Sequence, residues 1–306
     1  MAHFLAIDGG GSKTSCAVGD ETALLGKGSS GGSNVVRGGE DAARRALREA
    51  VDQACAAAKI TPAQLKKTCA GISGGDRPET AEAVRRILAE FVSGEIDVLG
   101  DMEIALHAAF SEGPGVIVIA GTGSIAFGRN SRRRTVRAGG WGHAIGDEGS
   151  GHWIGRCAVS QTLRAYDEGQ NPPLLQRVMK AWGVESRDKL IMAANATPAP
   201  DFASLFPVVA AAADVGDLTA RSVLAQAGAE LSAIARIVIR RIFADDETIP
   251  VAMAGSVFGN SALVRQVFYN GLRSEYPDVL LRPRVVDPLL GALDLARRAT
   301  QRATGA

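Results

Sequence analysis

Two short segments of this 306-residue chain carry residue types that can hold a phosphate. The first reads Phe4-Leu-Ala-Ile-Asp-Gly-Gly-Gly-Ser-Lys-Thr14: an apolar strand ends in Asp8, Gly9, Gly10 and Gly11 follow, and Ser12, Lys13 and Thr14 lead out. Glycines leave their backbone N–H groups unshielded, so phosphate oxygens can approach closely. A carboxylate beside such a turn suits Mg²⁺, and Asp8 would take the ion directly or through water. A plain glycine-rich hairpin is the alternative. The second segment, Gly121-Thr122-Gly123-Ser124, follows the apolar run Val116-Ile-Val-Ile-Ala120 and repeats this chemistry with backbone donors and two hydroxyls. Two such turns, each opening one half of the chain, point to phosphates gripped by two lobes. Lys13 does not complete a Walker A motif, because no Gly-x4-Gly-Lys-Ser/Thr spacing is present. Ser12 and Thr14 are the better phosphate contacts.

The elements that must position these turns read as a repeated α/β pattern. Residues 3–8, 14–19 and 22–28 suggest three strands joined by tight turns, and 40–58 an amphipathic helix. A buried strand at 68–73, a helix at 78–92, a strand at 96–99 and a helix at 102–110 follow. The pattern restarts with strands at 115–120, 124–129 and 134–138. Helices are expected at 149–168, 173–181, 186–195, 201–214 and 217–243. A strand at 249–254, a helix near 261–274, a strand near 279–282 and a helix from 288 finish the chain. This order predicts an α/β protein with two duplicated β-β-β-α-β-α-β-α lobes around a central cleft. The lobes are expected at 1–112 and 113–306, divided at Ser111-Glu-Gly-Pro-Gly115, with the C-terminal helix able to pack back on the first lobe.

Composition narrows the function classes. Hydrophobic content of 46% and charged content of 22% are ordinary for a globular enzyme. A net charge of +1 argues against nucleic-acid and membrane-surface partners, both of which want a basic excess. The Arg132-Arg133-Arg134 run reads as a solvated hairpin tip. Runs such as Val116–Ala120 are too short to span a membrane, and the N-terminus lacks a signal-peptide pattern. The 4 cysteines are scattered without a CxxC pair and His numbers only 4, which disfavours zinc, iron–sulfur and disulfide frameworks and suits a reducing cytoplasm.

The paired turns, with Ala254-Gly-Ser-Val-Phe258 late in the chain, resemble the actin-like ATPase and sugar-kinase superfamily, which has a ribonuclease H-like fold. The middle of the chain is more specific. Gly139-Gly-Trp-Gly-His143 and Gly146-Asp-Glu-Gly-Ser150 resemble the N-acetylglucosamine kinase family, within the BadF/BadG/BcrA/BcrD-type ATPases. Asn34, Ile72-Ser-Gly-Gly-Asp76 and Gly100-Asp101 fit the same resemblance, which runs from about residue 4 to 296.

The resemblance implies an ATP- and Mg²⁺-dependent kinase acting on a small amino sugar, with N-acetylglucosamine as acceptor at its 6-hydroxyl. Glucosamine and N-acetylmuramate are the alternatives. It implies Asp101 as general base, at a strand end where open α/β sheets place ligands; a helix N-cap is the competing reading. Asp147 would bind sugar hydroxyls, since a carboxylate accepts two side by side. Gly140, Trp141 and Gly142 would line the same pocket, unless Trp141 is core. Asn34 would contact the sugar or simply shape a turn. Ala203, in the helical region 202–217, and Gly255-Ser256 would lie by the adenosine, the latter being otherwise a plain strand-to-helix turn. His143 reads as structural or as a support behind the site, and Asp76 as a helix cap or cleft-wall residue. A homodimer is what the family suggests. The contrasting class is a partner-regulating ATPase of the dehydratase-activator branch, disfavoured because 146–151 holds no cysteine and Cys157 stands alone.

Overall fold

The computed structural model describes residues 2–244 and 248–303. The chain divides into two compact units, Met1–Gly113 with Val286–Ala306, and Pro114–Val285.

The first unit is built on a five-stranded sheet in the order β3-β2-β1-β4-β5. Its strands are β1 (His3–Gly9), β2 (Thr14–Gly19), β3 (Leu24–Ser30), β4 (Leu65–Ile72) and β5 (Glu95–Gly100). β1 pairs antiparallel with β2 and parallel with β4. Helices α1 (Val35–Ala57), α2 (Pro78–Ala89), α3 (Asp101–Phe110) and α11 (Pro288–Ala303) cover it. β1 is apolar from Phe4 to Ile7 because both its faces are buried there. Leu5 and Ile7 join a core with Leu47, Val51, Val84 and Ile87. Phe4 and Ala6 join another with Ile104, Leu289, Ala292 and Leu293. That second face is what places residues from Val286 onward in the first unit. His107 Nε2 lies 2.7 Å from Asp294 Oδ2, tying α3 to α11. α1 begins at Val35, five residues ahead of the expected 40, with a break at Gly39, where φ is 77°.

The second unit repeats the sheet, in the order β10-β9-β6-β7-β8. Here β6 (Gly115–Ala120), β7 (Ser124–Arg129), β8 (Thr135–Gly139), β9 (Pro250–Ala254) and β10 (Leu280–Val286) take the places of β1 to β5 in turn. β6 pairs antiparallel with β7 and parallel with β9, as β1 does with β2 and β4. The helices are α4 (Gly151–Asp167), α5 (Pro173–Ala181), α6 (Arg187–Ala194), α7 (Phe206–Asp214), α8 (Leu218–Ile242), α9 (Ser256–Asn260) and α10 (Ala262–Arg273). The helix expected over 201–214 splits at Pro207 into a short 3₁₀ turn, Phe202–Leu205, and α7. This is the familiar use of Pro in the first turn of a new helix. α8 is long and apolar enough to cross a membrane by length and composition. Its Leu224, Leu231, Ala235 and Val238 are buried in the core of this unit, which accounts for that composition.

Candidate active site

In the first unit, Asp8 follows the buried run Phe4–Ile7 of β1, opposite Ser15 on β2 and Gly71 on β4. Its carboxyl is pushed up to about 7, first by burial and then by the Asp101 and Asp287 carboxylates, with Lys13 acting the other way. Asp287 was not anticipated. It precedes α11, where its Oδ1 accepts from the Leu289 amide at 3.1 Å, and the Val286-Asp-Pro288 helix start was the only signal available. Crowded carboxylates at the end of a strand call for a cation. Among the described residues no three His, Cys, Asp or Glu side chains group to hold a metal. Mg²⁺ fits this arrangement well, because it keeps most of its waters and binds through one or two carboxylates plus substrate phosphates.

Asp101 is the first residue of α3 rather than its cap. Gly100 occupies the cap position, and its amide donates to Glu103 Oε1 at 3.2 Å. That removes the N-cap explanation for Asp101. Its Oδ1 accepts from the Met102 amide at 2.9 Å. Its carboxyl is pushed up to about 6, chiefly by burial; that amide opposes the shift and the charge of Asp76 adds to it. Asp76, read from the sequence as a helix cap or cleft-wall residue, therefore bears electrostatically on Asp101.

Thr14, expected to contact phosphate, is fully buried, and its hydroxyl donates to Gly31 O at 2.7 Å. It fastens the Gly28–Ser33 stretch to the sheet. Gly10 N donates to Lys13 O at 2.9 Å, which closes the turn, while Ser12 and Lys13 are exposed. The Arg37 guanidinium lies alongside Gly11, a cation at the turn that sequence reading missed. Asn34 caps α1, its Oδ1 accepting from the Arg37 amide at 3.0 Å, which leaves its NH₂ end and the second lone pair of Oδ1 to serve a sugar. Beside it, Ser33 is buried against Gly9 with its hydroxyl unpartnered.

In the second unit, the other predicted residues gather around the end of β6. Gly121 N donates to Gly123 O at 2.9 Å, closing the turn, and Gly151 N donates to Gly121 O at 2.8 Å. This seats the start of α4 on the turn. A Cβ on Gly151 would lie 3.7 Å from that of Ala203, which brings the 3₁₀ segment to the same place. Gly255, at φ 96°, packs so tightly on Ala120 O that no side chain fits there. Ser256 is exposed at the start of α9. Asp147 is buried in the left-handed region at φ 62°. A Cβ on Gly123 would come within 2.7 Å of its Oδ2. Burial raises the Asp147 carboxyl, while the Ser124 and Gly142 amides and His143 lower it. Trp141 is 61% exposed, so the core reading does not hold for it. The His143 ring stacks 4.5 Å from that of His152.

Two α/β units with matching strand orders, each with a glycine turn after its first strand, define the actin-like ATPase and sugar-kinase class. The chain belongs to the BadF/BadG/BcrA/BcrD ATPase family, whose model matches residues 5–296. It is 32% identical over 303 residues to the N-acetylmuramic acid/N-acetylglucosamine kinase of Clostridium acetobutylicum, covering 97% of this chain and 99% of that protein. It is 29% identical over 310 residues to the N-acetyl-D-glucosamine kinase of Dictyostelium discoideum, covering 96% and 97%. A candidate N-acetylglucosamine kinase structure from Chromobacterium violaceum superposes with a TM-score of 0.76 at 27% identity, covering 97% and 99%.

Proposed function

We propose that this protein is an ATP-dependent amino-sugar kinase that transfers the γ-phosphoryl group of ATP to the 6-hydroxyl of N-acetylglucosamine. The observation that carries the reading is Asp101. It is a carboxylate at a strand end, excused from capping its helix, in the same unit as a glycine turn and an acidic metal position. Kinship with amino-sugar kinases along nearly the whole chain supports the acceptor.

In this reading the turns of Gly9, Gly10, Gly11, Gly121 and Gly123 let phosphate oxygens approach the backbone closely, and Ser12, Lys13 and Thr122 bind them, while the Gly10 and Gly121 amides hold the turns closed. Ala203, Gly255 and Ser256 leave room for the nucleoside. Asp8 would hold Mg²⁺, and the ion would supply neutralisation of phosphate charge. Asn34 and Asp147 bond sugar hydroxyls, and Gly140, Trp141 and Gly142 shape the acceptor pocket. Asp101 accepts the proton of the attacking hydroxyl as the O6–phosphorus bond forms and the bond to the leaving ADP breaks. A carboxyl near 6 is mostly ionised at pH 7 and is a stronger base than one near 4, which suits this task. The 4 cysteines of the chain are free thiols, consistent with a reducing cytoplasm.

The test is a coupled ADP-release assay over glucose, glucosamine, N-acetylglucosamine, N-acetylmannosamine and N-acetylmuramate. The reading expects strong stimulation by N-acetylglucosamine. ATP hydrolysis indifferent to every sugar would overturn it and favour a partner-regulating ATPase.

A further inference from the structure

Residues 31–37 lie directly across the first glycine turn. Thr14 Oγ1 donates to Gly31 O at 2.7 Å, and Ser33 N donates to Gly10 O at 3.1 Å. Gly32 packs so tightly on Gly11 O that no side chain fits there. At the end of this segment stands Arg37. A Cβ on Gly11 would lie 3.3 Å from Arg37 Nη1 and 3.9 Å from its Cδ, so the side chain runs along the turn. Two bonds to Asn34 fix the backbone at this point. The Arg37 amide donates to Asn34 Oδ1 at 3.0 Å, and the Gly38 amide donates to Asn34 O at 2.9 Å.

The charge of Arg37 is not used up within the fold. Glu40 and Asp41 follow it by three and four residues, where a continuous helix would pair one of them with it. The break in α1 at Gly39, with φ 77°, removes that geometry. Glu40 instead pairs with Arg86 at 2.7 Å, and Asp41 with Arg44 at 2.7 Å. Among the described residues no carboxylate pairs with Arg37, whose side chain is exposed. Lys13 differs, because its charge acts on Asp8 at the metal position. A guanidinium presents N–H donors in a planar fork that matches two phosphate oxygens, and a glycine turn lets phosphate come close beside it.

We propose that Arg37, laid along Gly11, is a phosphate-binding residue that grips the polyphosphate of the nucleotide at the first turn. The inference rests on the kinase reading, which puts ATP phosphates at that turn, and adds a contact from outside the two glycine turns.

The experiment is calorimetric titration of the full-length wild type, Arg37→Gln and Arg37→Lys with MgATP, adenosine and N-acetylglucosamine. Arg37→Gln should bind MgATP roughly tenfold more weakly, near the low end for a hydrogen bond to a charged group, as suits an exposed side chain. Its affinity for adenosine and for the sugar should stay at the wild-type value. Arg37→Lys keeps the charge without the planar fork and should lie between wild type and Arg37→Gln. Added salt should weaken MgATP binding more in the wild type than in Arg37→Gln, which has one charge contact fewer to screen. Unchanged MgATP affinity in Arg37→Gln, or adenosine weakened as much as MgATP, overturns the inference. So does a loss confined to N-acetylglucosamine, the mark of a residue that only steadies the turn at Asn34. In these cases the kinase reading survives; a wild type that binds no MgATP overturns both.

Discussion

Replacing Asp8 with Asn should make the ligand-free protein more stable while destroying its activity. The Asp8 carboxyl moves from 3.8 to about 7 on folding, because burial and the Asp101 and Asp287 carboxylates disfavour its charge. Roughly three units at about 1.4 kcal/mol each set a ceiling of about 4 kcal/mol on what the ionised group costs at pH 8. Asn is neutral and similar in size, so the gain should be about 2–4 kcal/mol. For a chain of 306 residues, at about 2.1 cal/mol/K of unfolding entropy per residue, even 2 kcal/mol is a rise in Tm of roughly 3 °C. The pH dependence has a definite sign. Below about pH 4 both folded and unfolded wild type carry the proton, and the variant has no advantage. Between about 4 and 7 the unfolded chain has lost that proton and the folded one has not, so wild-type stability falls with rising pH. The advantage of Asn therefore grows through that window and is complete above about pH 7. Scanning calorimetry from pH 4 to 8 without nucleotide measures it. With Mg²⁺ and ATP present, only the wild type should gain strongly, since ligand binding to the native state adds stability by mass action. A variant less stable than wild type at pH 8, or a difference that does not change with pH, would refute the buried-charge account.

Other outcomes follow from the same contacts. Asp101→Asn should cut kcat by roughly 10²–10⁴, the range for a lost general base, with sugar affinity kept within several-fold by calorimetric titration. In the wild type, kcat/KM should rise with pH around about 6 as Asp101 loses its proton, and this limb should vanish in the variant. Gly123→Ala places a methyl 2.7 Å from Asp147 Oδ2 and should raise KM for the sugar by displacing that carboxylate, as steady-state kinetics would reveal. Ser33→Ala removes a buried hydroxyl that has no partner, so urea denaturation should find it within about 1 kcal/mol of wild type or more stable.

The sheet framework was readable from the sequence because its signals are local. Apolar runs such as Val116–Ala120 mark strands buried on both faces, and each glycine turn follows one of them directly. Asp101 and Asp147 stood out in the sequence as carboxylates set in glycine-bearing junctions, and the roles expected of them came from the family resemblance. What escaped depends on contacts between distant positions. Nothing near Thr14 shows that its hydroxyl reaches Gly31, 17 residues on. Asp287 lies at the far end of the chain from Asp8, and only the packing of α11 against β1 brings its charge to bear. Arg37 looks like any helix-start Arg until its side chain is seen to lie along Gly11. The helix-capping bond of Asn34 Oδ1 likewise shows only once α1 is seen to begin at Val35, five residues ahead of its expected start.

The most direct test is to identify the product. Wild-type protein incubated with Mg²⁺, ATP and N-acetylglucosamine, then analysed by phosphorus and carbon NMR, should yield ADP and a phosphomonoester at O6 in equal amounts, and Asp101→Asn should yield neither at the same enzyme concentration. Phosphate released to water without a sugar ester, or a sugar ester formed as well by Asp101→Asn as by the wild type, would contradict the account.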